Sequence, residues 1–481
     1  MINGLKPYSK YKDSGVPWLG EVPEHWEVLP GRTLFREIND RDHPNEELLS
    51  VTISRGVVRQ ADLLSDSSKK DSSNEDKSAY KLVEPGDIAY NKMRAWQGAV
   101  GVSAYRGIVS PAYIVQRLRN PINSPRYIHY LLRTPSFTTE AERWSYGITS
   151  DQWSLRAEDF KNIYFCVPGQ DEQTAIVRFL DWADRRIRRV IRARKRRIKL
   201  LEEYKQALIH QAVTGKIDVR TCLRRGFGRQ AGKPYPKYKD SGVEWLGQVP
   251  EHWKVRRLKS SVADINEQTN TKNPNELYIA LEHVESWTGR LQPPAGDVEF
   301  DSQVKRFRAG DVLFGKLRPY LAKVVRPEQD GVCVGEFFVL RPKHAVTPRY
   351  LEVVLRSSPA IDFVNSSTYG AKMPRADWTF VGGMLFPHPP IPEQTAIVEF
   401  LDEQTGKIDT AIAAARREIG LLKEFRTRLI ADVVTGKVDV REAAAQLPEE
   451  PPEEEAELIE EEAETAEADD EGPQEETDAE A

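Results

Sequence analysis

Cysteine is almost absent: the 481 residues hold three, at positions 166, 222 and 333, and no CxxC pair. That spacing excludes a disulfide framework and a zinc ribbon. No apolar run approaches the ~20 residues needed to cross a bilayer. The N-terminus lacks a signal-peptide core. A reducing cytoplasm is the expected location, with no membrane involved. Catalytic signatures are missing as well. The eight histidines form no HExxH, and neither GxSxG nor GxGxxG follows a strand-like run. The TGK at 214–216 lacks the upstream glycine and the following Ser or Thr of a phosphate loop. The expected chain has no catalytic residues and holds no metal or cofactor of its own. A nuclease site of scattered acids is the reading left open.

Positive charge is hidden rather than scarce. The formal net charge is −5, yet residues 448–481 carry 18 Asp or Glu and no Lys or Arg. Residues 1–447 therefore hold 69 basic against 56 acidic side chains, an excess of 13. A basic body is the footprint of a polyanion binder, with ordinary surface lysine and arginine as the bland alternative. The acidic tail lacks aromatics and is expected to be disordered.

What the chain does have is itself, twice. YKDSGVPWLGEVPEHW at 11–26 returns as YKDSGVEWLGQVPEHW at 238–253, identical at fourteen of sixteen positions. EQTAIVRFLD at 172–181 returns as EQTAIVEFLD at 393–402, and VTGKIDVR at 213–220 as VTGKVDVR at 434–441. PGDIAYNKMRAW (85–96) resembles AGDVLFGKLRPY (309–320) more faintly, and YIHYLLRTPSF (127–137) resembles YLEVVLRSSPA (350–360). Each repeat is thus a motif, a dissimilar block and a helical block.

In the helical blocks apolar residues recur at Ile187, Ile191, Ile198, Leu201 and Leu208, and at Ile408, Ile412, Ala415, Ile419, Leu422, Leu429 and Val433. Spacings of four and three make an a/d seam. Each run reaches a Thr-Gly pair, with the glycine suited to a left-handed C-terminal cap. A helix of ~40 residues is ~60 Å long, too long for one small domain to bury. The two seams are expected to pack on each other; each packing on a separate protein is the rival. The dissimilar blocks read as mixed α/β. DIAYNKM, AYIVQRL, DVLFGKL and EFFVLRP are strand-like, and PRYIHYLLRT and PRYLEVVLRS are helix-like, opened by proline.

Several residues stand out as candidate contacts. The shared GD-x-x-x-x-K-x-R places Lys92 and Arg94, and Lys316 and Arg318, two apart; on a strand they would share a face toward phosphate or guanine. A charged edge strand is the alternative. The loops SYGITSDQW (145–153) and TYGAKMPRADW (368–378) offer Tyr146, Gln152, Tyr369, Lys372 and Arg375 for base or backbone contact, or simply pack. RRIRRVIRARKRRIK (185–199) has ten basic residues in fifteen. Its Arg188, Arg192 and Lys195 could meet phosphate, acids of a partner or of the tail, or solvent. Trp18, Trp26, Trp245 and Trp253 read as frame anchors. His25 and His252, inside the repeated motif, read as structural.

The doubled YKDSGV-WLG-VPEHW, EQTAIV-FLD and VTGK-DVR, in that order, resemble the specificity subunit of type I restriction–modification enzymes over roughly residues 7–441. The resemblance implies an α+β fold: two mixed α/β target-recognition domains in tandem, separated by two long helices packed as an antiparallel coiled coil. The corresponding segments are 1–26 (motif), 27–171 (first recognition domain), 172–220 (central spacer helix), 221–253 (linker and second motif), 254–392 (second recognition domain), 393–441 (C-terminal spacer helix) and 442–481 (acidic tail). It implies a non-catalytic chain in which each domain reads half of a bipartite site in double-stranded DNA. Two methyltransferase subunits would dock on the frame, with restriction subunits as further partners. S-adenosylmethionine, ATP and Mg2+ would sit on those partner subunits. A stand-alone DNA-binding regulator or an inactive remnant is the alternative.

Overall fold

The computed structural model describes residues 5–65, 76–148, 153–223, 234–292, 303–366 and 374–448. The acidic tail expected to be disordered lies outside them, apart from its first residues. The chain divides into two compact units. One combines the residues up to Lys195 with those from Arg417 onward; the other is the continuous stretch from Arg196 to Arg416.

Each unit contains the same four-stranded antiparallel sheet. In the first, the order is Phe35–Ile38, Tyr113–Leu118, Ile88–Asn91, Val100–Val102. In the second it is Val262–Ile265, Phe337–Pro342, Val312–Gly315, Val324–Val325. The shared Gly-Asp is a turn that feeds the third strand of this order. Gly86 and Gly310 take φ of 91° and 86°, a left-handed conformation that glycine adopts without steric cost. Asp87 then holds Arg117 at 2.6 and 2.7 Å, and Asp311 holds Arg341 at 2.8 and 2.7 Å. Both aspartates are buried, so the bidentate pairs tie the turn to the neighbouring central strand.

The helices Pro125–Leu132 and Pro348–Leu355 start as their prolines suggest. The Ser124 hydroxyl accepts from the Tyr127 amide (3.3 Å), and the Thr347 hydroxyl from the Tyr350 amide (3.4 Å). Both tyrosines are fully buried. Gln173 and Gln394 lock these helix starts to the long helices. Each accepts from the N-cap amide (Ser124, 2.7 Å; Thr347, 2.9 Å) and donates to a carbonyl at the entry to its own helix (Pro168, 2.9 Å; Pro389, 3.0 Å).

The long helices run Gln170–Val213 and Ile391–Val434, 44 residues each. In the first unit, residues up to 195 of one lie antiparallel to residues 417–434 of the other. Asp184 pairs with Arg426, whereas Arg194, further along, pairs with the earlier Glu418 at 2.8 and 2.9 Å. Ile187, Ile191, Ile419, Leu429 and Val433 are buried there. In the second unit Glu202 meets Arg416 (3.0 Å) and Lys205 meets Asp409 (2.6 Å), again antiparallel, with Leu208, Ile408, Ile412 and Ala415 buried.

The repeated sentences turn out to address each other. In the first unit, Tyr8 donates to Glu172 Oε1 (2.7 Å), His25 Nε2 lies 2.8 Å from Glu172 Oε2, and Arg441 lies beside the same carboxylate at 3.9 Å. In the second, Tyr235 and His252 (2.8 Å) hold the two oxygens of Glu393, and the Arg220 guanidinium lies over the Tyr235 ring. Gly436 (φ 76°) and Gly215 (φ 71°) close these joints. A Cβ on Gly436 would fall 2.3 Å from Pro23 Cδ, and one on Gly215 would fall 2.4 Å from Pro250 Cδ. Motif, EQTAIV and VTGK-DVR are therefore three sides of one joint, built once per unit.

Candidate nucleic-acid interface

The expectation that Lys92/Arg94 and Lys316/Arg318 alternate along a strand is corrected. The strands end one residue earlier, at Asn91 and Gly315, where pairing with Tyr113 and Phe337 runs out. The Asn91 side chain accepts from the Met93 amide (2.9 Å), a local bond that turns the chain. Arg94 then leads into a short 3-10 turn, Ala95–Gln97. Arg318 sits at φ 49°, ψ 61° before another, Pro319–Leu321. A non-glycine residue in that left-handed region is strained, and such strain persists only where surrounding structure holds it.

What holds it is the second candidate loop. The Arg318 amide donates to the Pro374 carbonyl (2.8 Å), Leu317 bridges to Arg375, and the Ala376 amide donates to the Lys316 carbonyl (2.9 Å). The first unit has the matching bond, from the Leu155 amide to the Lys92 carbonyl (2.8 Å). Thus in each unit the Lys-x-Arg turn and the C-terminal end of the divergent loop form one surface. Arg375 is exposed and pairs with Glu336. Tyr146 is 49% exposed, with the Arg156 guanidinium 4.5 Å over its ring. Trp96 of the turn meets Trp153 of the loop edge-on at 5.4 Å. Gln152, Tyr369 and Lys372 lie outside the described residues.

Beneath the turns lie two lysines that the sequence reading missed. Lys81 donates to the Tyr113 carbonyl (2.7 Å) and Lys305 to the Phe337 carbonyl (3.2 Å); both are buried. Burial pushes Lys81 below the usual lysine range. Burial first, then the Lys305 charge, pulls Lys316 down to about 8. Asp264, also desolvated, is raised, against the pull of Lys305 and Lys316. The missed signal was in the text: each lysine stands five residues before the shared Gly-Asp.

The remaining candidates lie elsewhere. Arg188, Arg192 and Lys195 are on the first long helix, and Arg188 is tied to Asp184 at 2.9 Å. Part of the basic run is thus compensated within the chain, by Asp184 and Glu418; Arg186 and Arg189 are exposed. Trp26 and Trp253 are fully buried. Trp18 packs edge-on to Phe137 and Phe165, and Trp245 is half-buried against the second unit's core. His25 and His252 serve the joints described above. Among the described residues no cluster of His, Cys, Asp or Glu could hold a metal ion, and no helix is long and apolar enough to cross a membrane.

No family model matches the chain. It is 24% identical to the EcoDI type I restriction enzyme specificity subunit of Escherichia coli over 295 residues, 59% of this chain and 64% of that protein. The match therefore spans less than two thirds of that relative. A putative type I restriction enzyme MjaX specificity subunit of Methanocaldococcus jannaschii is 21% identical over 467 residues, 88% of this chain and 96% of that one. Among solved structures, a chain from work on complex assembly and conformational transition of the type I R-M system superposes with a TM-score of 0.62 at 16% identity. It covers 86% of this chain and 98% of that one. In sequence and in its doubled order of motifs the chain is similar to specificity subunits of type I restriction enzymes, and it shares its fold with a chain of a type I R-M system.

Proposed function

We propose that the chain is the DNA-reading, non-catalytic subunit of a type I restriction–modification complex. Each unit reads one half of a bipartite site in double-stranded DNA, in a reducing cytoplasm. The observation that carries this is the pairing, in both units, of a basic turn with a loop of different sequence. Phosphate contacts give position and base edges give sequence, so like turns and unlike loops suit two different half-sites held in one manner. The helix pair acts as the ruler between them: one added heptad lengthens it by ~10.5 Å, about three base pairs.

Methyltransferase subunits dock on the long helices, where apolar side chains remain uncovered: Val190, Leu421 and Phe425 in the first unit, Leu200 and Tyr204 in the second, all at least 40% exposed. S-adenosylmethionine, ATP and Mg2+ belong to those subunits and to restriction subunits.

The test is mapping of N6-methyladenine in the source genome. A split motif should vanish when the gene is deleted, and its spacer should grow by about three base pairs when a heptad is inserted in both long helices. Methylation unaffected by deletion, or DNA cleavage by the purified chain alone with a divalent metal, would overturn the reading.

A further inference from the structure

Although the two recognition blocks diverge, one polar cluster is kept in both. In the first unit it comprises Lys81, Lys92 and Glu37; in the second, Lys305, Lys316 and Asp264. The members occupy matching places. The buried lysine precedes the Gly-Asp turn by five residues, the outer lysine follows it by five, and the carboxylate lies on the first strand of the sheet order, Phe35–Ile38 or Val262–Ile265. Each buried lysine donates to the carbonyl of the first residue of the central strand. Each outer lysine carries on its own carbonyl the bond that fastens the divergent loop.

In the second unit two cations face one carboxylate; in the first, Glu37 also meets Lys161 (3.6 Å), whose charge Glu158 cancels (2.7 Å), so each cluster retains an excess of one positive charge in a partly desolvated place. An uncompensated charge there is costly. In the second unit the ammonium of Lys316 is turned onto the Gly335 carbonyl (2.7 Å) and lies 5.0 Å from the Phe338 ring centroid; Asp264 keeps one buried oxygen without a hydrogen-bond partner. The other charges there, Glu336 and Arg375, neutralise each other.

We propose that each cluster clamps one DNA phosphodiester, so that the two units grip the backbone at the same point of their folds while their loops read different bases. This rests on the DNA-recognition reading. One phosphate cancels the excess charge. Because the clamp's outer lysine carries the loop's anchoring bond, gripping the backbone also sets the register of the loop. The arrangement is sequence-blind, which explains why it is shared when the loops are not.

Linkage adds a signature. Lys316, at about 8 in the free protein, faces Lys305, Asp264 and Glu336, with the Cys333 thiol pushed up to about 12 by burial and so neutral. Phosphate favours its charged form, so binding is strongest below pH 8 and weakens as pH rises past it. A lysine of that pKa should make binding about tenfold weaker at pH 9 than at pH 7.

The experiment is fluorescence anisotropy of the full-length chain with a random-sequence duplex, across salt and pH. The salt slope should fall by about 0.9 for K92Q and again for K316Q, one phosphate each. In the K92Q background, Lys316→Arg should keep affinity and lose the tenfold pH effect, since arginine stays charged. An unchanged slope in K92Q/K316Q, or a pH dependence that survives Lys316→Arg, overturns the clamp and leaves the recognition reading standing. Failure of the wild-type chain to bind DNA even at low salt would sink both.

Discussion

Gly436 offers the sharpest test of how the frame is closed. Its φ of 76° costs a side chain about 1 kcal/mol. Its Cβ would also stand 2.3 Å from Pro23 Cδ and 3.2 Å from a ring carbon of the fully buried Trp26. Pro23 is the buried last residue of a short strand, Glu21–Pro23, paired with Tyr11, so its ring has little room to retreat, and overpacking of this kind costs about 1–3 kcal/mol. Gly436→Ala should therefore destabilise the first unit by about 2–4 kcal/mol. Gly406 is the internal control. It lies inside the long helix that ends two residues before Gly436, in the part belonging to the second unit, at ordinary helical φ, with nothing within 4 Å of its would-be Cβ. There alanine should stabilise by about 0.5–1 kcal/mol, through helix propensity alone. Urea unfolding followed by far-UV circular dichroism reads both. The midpoints should move in opposite directions. A Gly436→Ala midpoint at or above wild type would refute the closed joint, because neither the left-handed backbone nor the proline contact would then be real constraints.

The buried carboxylate of that joint should matter as much. Glu172→Ala strands the Tyr8 hydroxyl and the His25 ring and should cost about 3 kcal/mol, whereas Tyr8→Phe should cost about 1 kcal/mol; equal losses in urea unfolding would contradict the hub. Burial, reinforced by the charges of Arg126 and Arg133 and to a smaller extent Arg426 and Arg188, pushes the His129 imidazole down to about 3. A histidine unfolded at ~6.5 binds protons mainly in the unfolded state, so stability is intact above 6.5 and is lost as pH falls below it. Between pH 7 and 5 the loss should be about 2 kcal/mol. His129→Gln, which keeps an acceptor for the Val102 amide, should remove that pH-dependent loss, read from urea midpoints at the two pH values.

Much of this architecture is written locally. The a/d seams, the proline-opened helices and the glycines after Val213 and Val434 depend on neighbours a few residues away, and pattern reading reaches them. The joints do not depend on neighbours. Tyr8 finds Glu172 across 164 residues, and the Tyr127 hydroxyl lies 3.0 Å from the carbonyl of Val434, 307 residues on. The duplication announced that those stretches were constrained, but a single chain compared with itself does not say which repeat closes on which. The Lys-x-Arg turns failed for another reason. Alternation assumes that a strand continues, and strand length is set by a neighbouring strand that pattern reading does not pair. Lys81 and Lys305 escaped notice because a lysine in a strand reads as solvent-facing unless its carbonyl acceptor is known.

The uneven make-up of the two compact units bears on how the protein comes off the ribosome. The stretch from Arg196 to Arg416 is unbroken, so the second unit has all its residues once they clear the exit tunnel. The first unit is interrupted. Tyr8, Trp26 and Tyr127 are translated early, yet the helix end and the Lys6–Asp439 bridge that cover them come from the far end of the chain. At about 5–20 residues per second, the first unit waits roughly 10–50 s with that surface bare. The half made first is therefore the half finished last, and nascent chains halted before residue 434 should be the ones that chaperones hold and proteases find.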